Sequence, residues 1–200
     1  MAGLTAQHWL TPDWDPHLTI AQLSLPHLTA HGLKAAVIDV DRTLLPGRDV
    51  TLPGPVRDWL VDAGRRLQLH LFSNNPSRDR IAAVADQLQV SFTFGAGKPR
   101  RGALRTVVRD LALPPEAIAM IGDRLFTDVL CGNRMGLYTV LVRPVRDDGK
   151  PCRHDRVQRL ERSVARWMGA PSAPPTYQLS TVDQKLYKHM QKYVKIYKMN

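Results

Sequence analysis

The chain has 200 residues, with 44% hydrophobic and 23% charged residues, a globular composition sized for one ordinary domain with a real core. No run is apolar enough to span a bilayer, the start "MAGLTAQHWL" lacks a secretory pattern, and two cysteines, Cys131 and Cys152, make neither a disulfide framework nor a zinc site. A net charge of +10 suits polyanionic company such as nucleic acid, an anionic membrane surface or a phosphorylated substrate; the cysteine usage suits a reduced, cytoplasmic protein.

In chain order, residues 1–33 form a lead-in with Trp9, Trp14 and one short helix near Ile20–Leu28. Both tryptophans can serve either an interface or packing on the domain. "KAAVIDV" (34–40) is a buried strand, and "GPVRDWLVDAGRRL" (54–67) a helix through Val56, Leu60 and Ala63. "QLHLFS" (68–73) is a second strand. "SRDRIAAVADQL" (77–88) is a helix with Ser77 as N-cap. "SFTFGAG" (91–97) is a short third strand with a glycine-rich exit. "GALRTVVRDLAL" (102–113) is helical through Leu104, Val107, Val108 and Leu111. "AIAMIG" (117–122) is a fourth strand, "FTDVLCGNRMG" (126–136) a helix ending at Gly136, and "YTVLVRP" (138–144) a fifth strand. "HDRVQRLERSVARWMG" (154–169) closes the series as an amphipathic helix.

This alternation predicts an α/β fold with a central parallel sheet of about five strands, covered on both faces. Ligands in such sheets bind beyond the carboxyl ends of the strands. Polar residues follow those ends: Asp39-Val-Asp41-Arg-Thr43, Ser73-Asn74-Asn75, Gly97-Lys98-Pro99, and Gly122-Asp123 with Asp128 five residues on. Several carboxylates at one point repel and are best tolerated around a hard cation such as Mg²⁺. A lysine and a Ser-Asn pair can hold the oxygens of a phosphate. One carboxylate can attack phosphorus, and a second can move the proton.

"DVDRTL", "FSNN", "GKP" and "GDRLFTD" together resemble the four motifs of the haloacid-dehalogenase (HAD) superfamily of phosphatases, over about residues 33–145. The resemblance implies a Rossmann-like three-layer sandwich. It makes Asp39 the nucleophile and a Mg²⁺ ligand. Asp41 becomes the acid/base, lending its backbone carbonyl to the metal. Thr43, Ser73 and Asn74 place the first loop and the phosphate, and Lys98 neutralises phosphoryl and aspartate charge. Asp123 completes the metal shell, with Asp128 standing behind it or reaching the metal through a water. Arg42 stands where many relatives carry Asn, at a variable slot. Taken singly, these residues have plainer readings: Asp39 or Asp41 as a turn cap, Lys98 as a solvated loop lysine, Asp128 as a helix-dipole partner, and Arg100, Arg101, Arg105 and Arg109 as solvated faces.

No gap is long enough for a cap domain, so the resemblance narrows to the capless, class III, YqeG-type group, linked with phosphatidylglycerophosphate phosphatases. It implies a phospholipid head group as substrate and peripheral placement on the inner membrane face, with nucleic acid not favoured. Residues 1–33 are the lead-in, 34–169 the phosphatase-like domain, and 170–200 a Pro-containing linker and basic tail. Residues 171–200 carry five lysines and one acid, a net +4, and no arginine. Two readings stand for the tail: a basic amphipathic helix resting on anionic lipid, or an incidental extension, which the abrupt change from Arg to Lys favours slightly.

Overall fold

The computed structural model describes residues 6–170 apart from 48, 153 and 154. The expected tail from 171 onward lies outside the described residues. Five strands, β1 (Ala35–Ile38), β2 (Gln68–Phe72), β3 (Ser91–Thr93), β4 (Ile118–Gly122) and β5 (Tyr138–Leu141), pair in parallel in the order β3-β2-β1-β4-β5. Seven helices accompany them among the described residues: α1 (Ala6–Trp9), α2 (Leu25–Ala30), α3 (Gly54–Gly64), α4 (Arg78–Asp86), α5 (Gly102–Leu111), α6 (Leu130–Asn133) and α7 (Arg156–Trp167). This is the expected α/β architecture.

The sheet separates two cores because successive strand residues point to opposite faces. Ala36 and Ile38 of β1 join Leu69, Leu71, Ala119 and Ile121 under α3 and α4. Ala35 and Val37 join Phe72, Ile118 and Met120 under α5 and α6. β1 and β4 are buried at every position, as parallel strands covered on both sides require. Each large aliphatic side chain sequestered here contributes roughly 1.5–3 kcal/mol. Strand order reverses between β1 and β4, so their carboxyl ends open a crevice.

Three local differences from the sequence expectation have physical causes. The single helix near Ile20–Leu28 is split into a 3₁₀ turn, Ile20–Gln22, and α2. Pro26 has no N–H, so it fits only the first turn of a helix, and Ser24 starts that turn by accepting a hydrogen bond from the His27 N–H at 3.2 Å. The helix expected over 126–136 begins as a π-helical turn, Leu125–Val129, before α6. The third strand stops at Thr93, because Gly95 and Gly97 both take positive φ.

The lead-in is packed on the domain. Ile20, Leu23, Leu28 and Leu33 belong to the core beneath α3, and the Trp59 indole N–H donates to the Leu23 carbonyl at 2.9 Å. Trp14 stacks on His27 and extends the sheet beside β5, donating to the Thr139 carbonyl at 3.0 Å and accepting from the Leu141 N–H at 2.9 Å. No helix among the described residues is long and apolar enough to cross a membrane.

His70 on β2 bonds Ser91 Oγ at 2.7 Å and Thr93 Oγ1 at 2.9 Å across the β2–β3 pair. Burial lowers its pKa from 6.5 to about 4, against a smaller opposing pull from Asp110. The unfolded chain thus takes up this proton more readily than the folded one, so protonation favours unfolding. Stability is full above pH 6.5 and declines as pH falls towards 4. After discounting for its partial exposure the loss is about 1–2 kcal/mol. Asp39 and Asp123, raised by burial, titrate with the opposite sign across this range, so the His70 contribution is read as a difference: the stability gap between wild type and His70→Asn in urea unfolding should shrink as pH falls from 6.5 towards 4.

Candidate active site

β1 ends at Ile38, but the Asp39 N–H still donates to the Ile121 carbonyl at 2.9 Å, which pins Asp39 to the sheet edge. Its carboxylate is held at both oxygens. Thr43 Oγ1 donates to Oδ2 at 3.0 Å and Lys98 Nζ to Oδ1 at 2.5 Å. Lys98 arrives from the loop after β3. Asn74 fixes its backbone in both directions, accepting from Lys98 N at 2.7 Å and donating to Lys98 O at 3.1 Å.

The Lys98 ammonium is buried: it donates to Asp39 and to the Phe72 carbonyl at 2.9 Å, and it forms an ion pair with Asp128 Oδ1 at 2.7 Å. A solvated loop lysine is therefore excluded. Asp128 sits in the π-helical turn, is 1% exposed, and accepts from the Arg124 N–H at 3.1 Å. Gly122 makes room for it: a Cβ there would lie 2.3 Å from Asp128 Cγ. Asp123 follows at the end of β4, also 1% exposed.

Asp39, Asp123 and Asp128 bring carboxylate oxygens within 4.8 Å of one another. Burial raises Asp39 to about 6; Lys98 pulls it down and Asp128 pushes it up. Burial, then Asp39 and Asp128, raises Asp123 to about 8, only partly offset by Arg42 and Arg124. Lys98 is raised, because Asp128 and Asp39 outweigh the burial that works against its charge. Asp123 Oδ2 is buried with no hydrogen-bond partner among the described residues. All-oxygen donors, crowded negative charge and an orphaned carboxylate oxygen fit a hard divalent cation.

Asp41 stands outside this triad. Its Oδ1 accepts from Arg80 Nη1 at 2.6 Å and its Oδ2 from Ser73 Oγ at 3.0 Å, and its side chain is 40% exposed at the mouth of the crevice. Arg80 also reaches the Gly47 carbonyl at 2.8 Å, tying α4 to the first loop. Ser73 Oγ in turn accepts from the Asn75 N–H at 3.0 Å.

Several contributors were not legible as such in the sequence. Arg42, read as a variable position, has φ +69, lies 3.5 Å from Asp123 Oδ2 through Nε, and forms an ion pair with Asp155. Asp155 caps α7, accepting from the Gln158 N–H at 2.8 Å. Gln158 Nε2 donates to the Asp123 carbonyl and the Val142 carbonyl, both at 2.9 Å. Glu161 accepts from Arg124 Nε at 2.8 Å and Leu125 N–H at 3.0 Å. The signal available was Gln158 and Glu161 three residues apart on one helical face.

Residues 95–158 match the HAD-hydrolase-like family model. The probable phosphatase YqeG of Bacillus subtilis is 32% identical over 139 residues, covering 68% of this chain and 79% of its own length. The chain belongs to the HAD-like hydrolases, in the YqeG group of phosphatases. The chloroplastic phosphatidylglycerophosphate phosphatase 1 of Chlamydomonas reinhardtii is 30% identical over 181 residues, covering 84% of this chain and 67% of that protein. The chloroplastic/mitochondrial phosphatidylglycerophosphate phosphatase 1 of Arabidopsis thaliana is 25% identical over 194 residues, covering 90% of this chain and 54% of that protein. In this HAD-like chain only a loop separates β1 from α3, and only α4 and β3 lie between Ser73 and Lys98, so neither gap holds a cap.

Gly122→Ala tests the close approach to Asp128. The added methyl must displace a buried carboxylate or the backbone, which costs about 1–3 kcal/mol. A lower Tm together with weakened divalent-cation binding by calorimetry is expected; an unchanged Tm and unchanged cation affinity would show that the site yields freely.

Proposed function

We propose that this protein is a Mg²⁺-dependent phosphomonoesterase that transfers phosphate to Asp39 and then to water, with phosphatidylglycerophosphate as substrate. The observation that carries the chemistry is the buried Lys98 ammonium joined to Asp39 and Asp128, beside an Asp123 oxygen that no hydrogen bond satisfies among the described residues. Asp39, Asp123, Asp128 and the Asp41 backbone carbonyl would hold Mg²⁺, which supplies positive charge to the phosphoryl oxygens.

The chain's own residues divide the work as follows. Asp39 attacks phosphorus: a carboxylate oxygen–phosphorus bond forms as the ester oxygen–phosphorus bond breaks. Thr43 and Lys98 keep the attacking carboxylate in one orientation. Lys98 also offsets the charge gathered by the incoming phosphate, and Ser73 and Asn74 shape the loop that receives it. Asp41 gives its proton to the leaving oxygen, then takes one from the water that cleaves the acyl phosphate and restores Asp39. Both Asp41 oxygens are engaged by Arg80 and Ser73, so this role requires one of those contacts to exchange for substrate.

Two features support the lipid. With no cap among the described residues, the crevice is open to a bulky substrate. Two relatives aligning over most of this chain are named phosphatidylglycerophosphate phosphatases. A peripheral position at the inner, cytoplasmic membrane surface follows from that substrate. The net charge of +10 favours a second reading, a nucleic-acid or protein phosphate on the same chemistry.

Phosphate release separates these readings, measured with Mg²⁺ from phosphatidylglycerophosphate, a phosphopeptide and an end-phosphorylated oligonucleotide. The lipid should be hydrolysed best, and Asp39→Asn should lower that rate roughly a thousandfold or more. Hydrolysis of the oligonucleotide with none of the lipid would overturn the substrate. No release from any would leave a non-catalytic phosphate-binding factor on this scaffold.

A further inference from the structure

α7 is turned inside out. An amphipathic helix ordinarily lays its apolar stripe on the core. Here Gln158, Glu161 and Ala165 face the domain, while Val157, Leu160, Val164, Trp167 and Met168 are exposed. Leu160 is 64% exposed and Trp167 87% exposed. At about 100° per residue, the five exposed apolar side chains fall within one arc of about 100°. Arg156 lies about 20° beyond one edge of that arc, with Arg159 and Arg166 about 80° and 100° beyond it; all three are exposed and without an acidic partner among the described residues. The helix's own acid, Glu161, is turned inward onto Arg124. The outer surface of α7 is therefore apolar and cationic.

We propose that this face of α7 docks the protein on an anionic lipid surface, with the apolar stripe in the interface and the arginines among the headgroups. The surface deepens the phospholipid reading above, from which the choice of lipid is taken. Charge selects this occupant over two others. A second copy packed about a two-fold axis would bring two arginine rims together. The segment 171–200 is itself cationic, with five lysines and one acid, and would meet the same repulsion.

The placement also suits the chemistry. The other edge of the apolar arc lies beside Glu161, whose carboxylate holds Arg124 and the Leu125 N–H directly after Asp123. A membrane lying along α7 therefore runs next to the strand ends where the triad sits, and headgroups come level with the crevice.

The test uses the full chain and vesicles of phosphatidylcholine, with or without phosphatidylglycerol. The protein should co-sediment with the phosphatidylglycerol vesicles and not with phosphatidylcholine alone. The double variant Leu160→Gln/Trp167→Gln should weaken binding at least about tenfold. Arg156→Gln/Arg159→Gln should weaken it and reduce its salt dependence. Hydrolysis of a water-soluble phosphomonoester should be unchanged in both, which reports an intact fold and site. Undiminished binding by both variants would overturn the proposal and move the contact elsewhere, the lysine-rich segment 171–200 included. Failure of the wild type to bind, or a dimer that dissociates in the variants without vesicle binding, would overturn it equally. Neither result touches the phosphatase reading, which fails only if phosphate is not released.

Discussion

A lysine ammonium buried between two aspartates is the contact on which the rest of the site depends. Lys98 reaches Asp39 from β1, Asp128 from the turn after β4, and the carbonyl of Phe72 on β2. One charge thus gathers the ends of three strands. Stripping away one partner of such a buried pair costs about 3–5 kcal/mol, because the remaining charge stays out of water without compensation. Much of the surrounding loop structure serves this lysine: Asn74 clamps its backbone on both sides, and Gly97 supplies the positive φ that turns the chain inward.

The same logic explains why the last helix is inside out. The carbonyl of Asp123 and the N–H of Leu125 are buried polar groups at the end of β4 and need partners. Gln158 and Glu161 provide them from α7, and Asp155 at the helix start engages Arg42 in the first loop. A polar inner face leaves the apolar residues only the outer face. Support for the site and exposure of a hydrophobic stripe are two consequences of one helix orientation.

Openness follows from what the connections lack. With no lid among the described residues to exclude water, order in the crevice comes from its own contacts. Asp41 shows how this is done: Arg80 and Ser73 hold it at the mouth, apart from the buried triad, so two carboxylates separated by one residue occupy different environments. One is buried beside a lysine and the other is half-exposed beside an arginine, a division suited to different chemical tasks.

The parallel sheet, its helices and the strand-end position of Asp39, Asp41, Ser73, Lys98 and Asp123 were legible in the residue order, since buried runs alternate with helical periodicity and polar groups follow each run. Motif spacing alone therefore determined the family and the chemistry on offer. Tertiary structure decided which of those groups meet. It put Asp128 in the triad and turned Asp41 outward, because a π-helical turn and a residue-free space at Gly122 are packing outcomes with no local signature. It also brought Arg42, Arg80, Asp155, Gln158 and Glu161 to the site, since their partners lie far off in sequence: 39 residues from Arg80 to Asp41, 35 from Gln158 to Asp123 and 36 from Glu161 to Leu125. Hydrophobic periodicity reports that a helix has two faces; only the unsatisfied groups at the end of β4 decided which face of α7 would be buried.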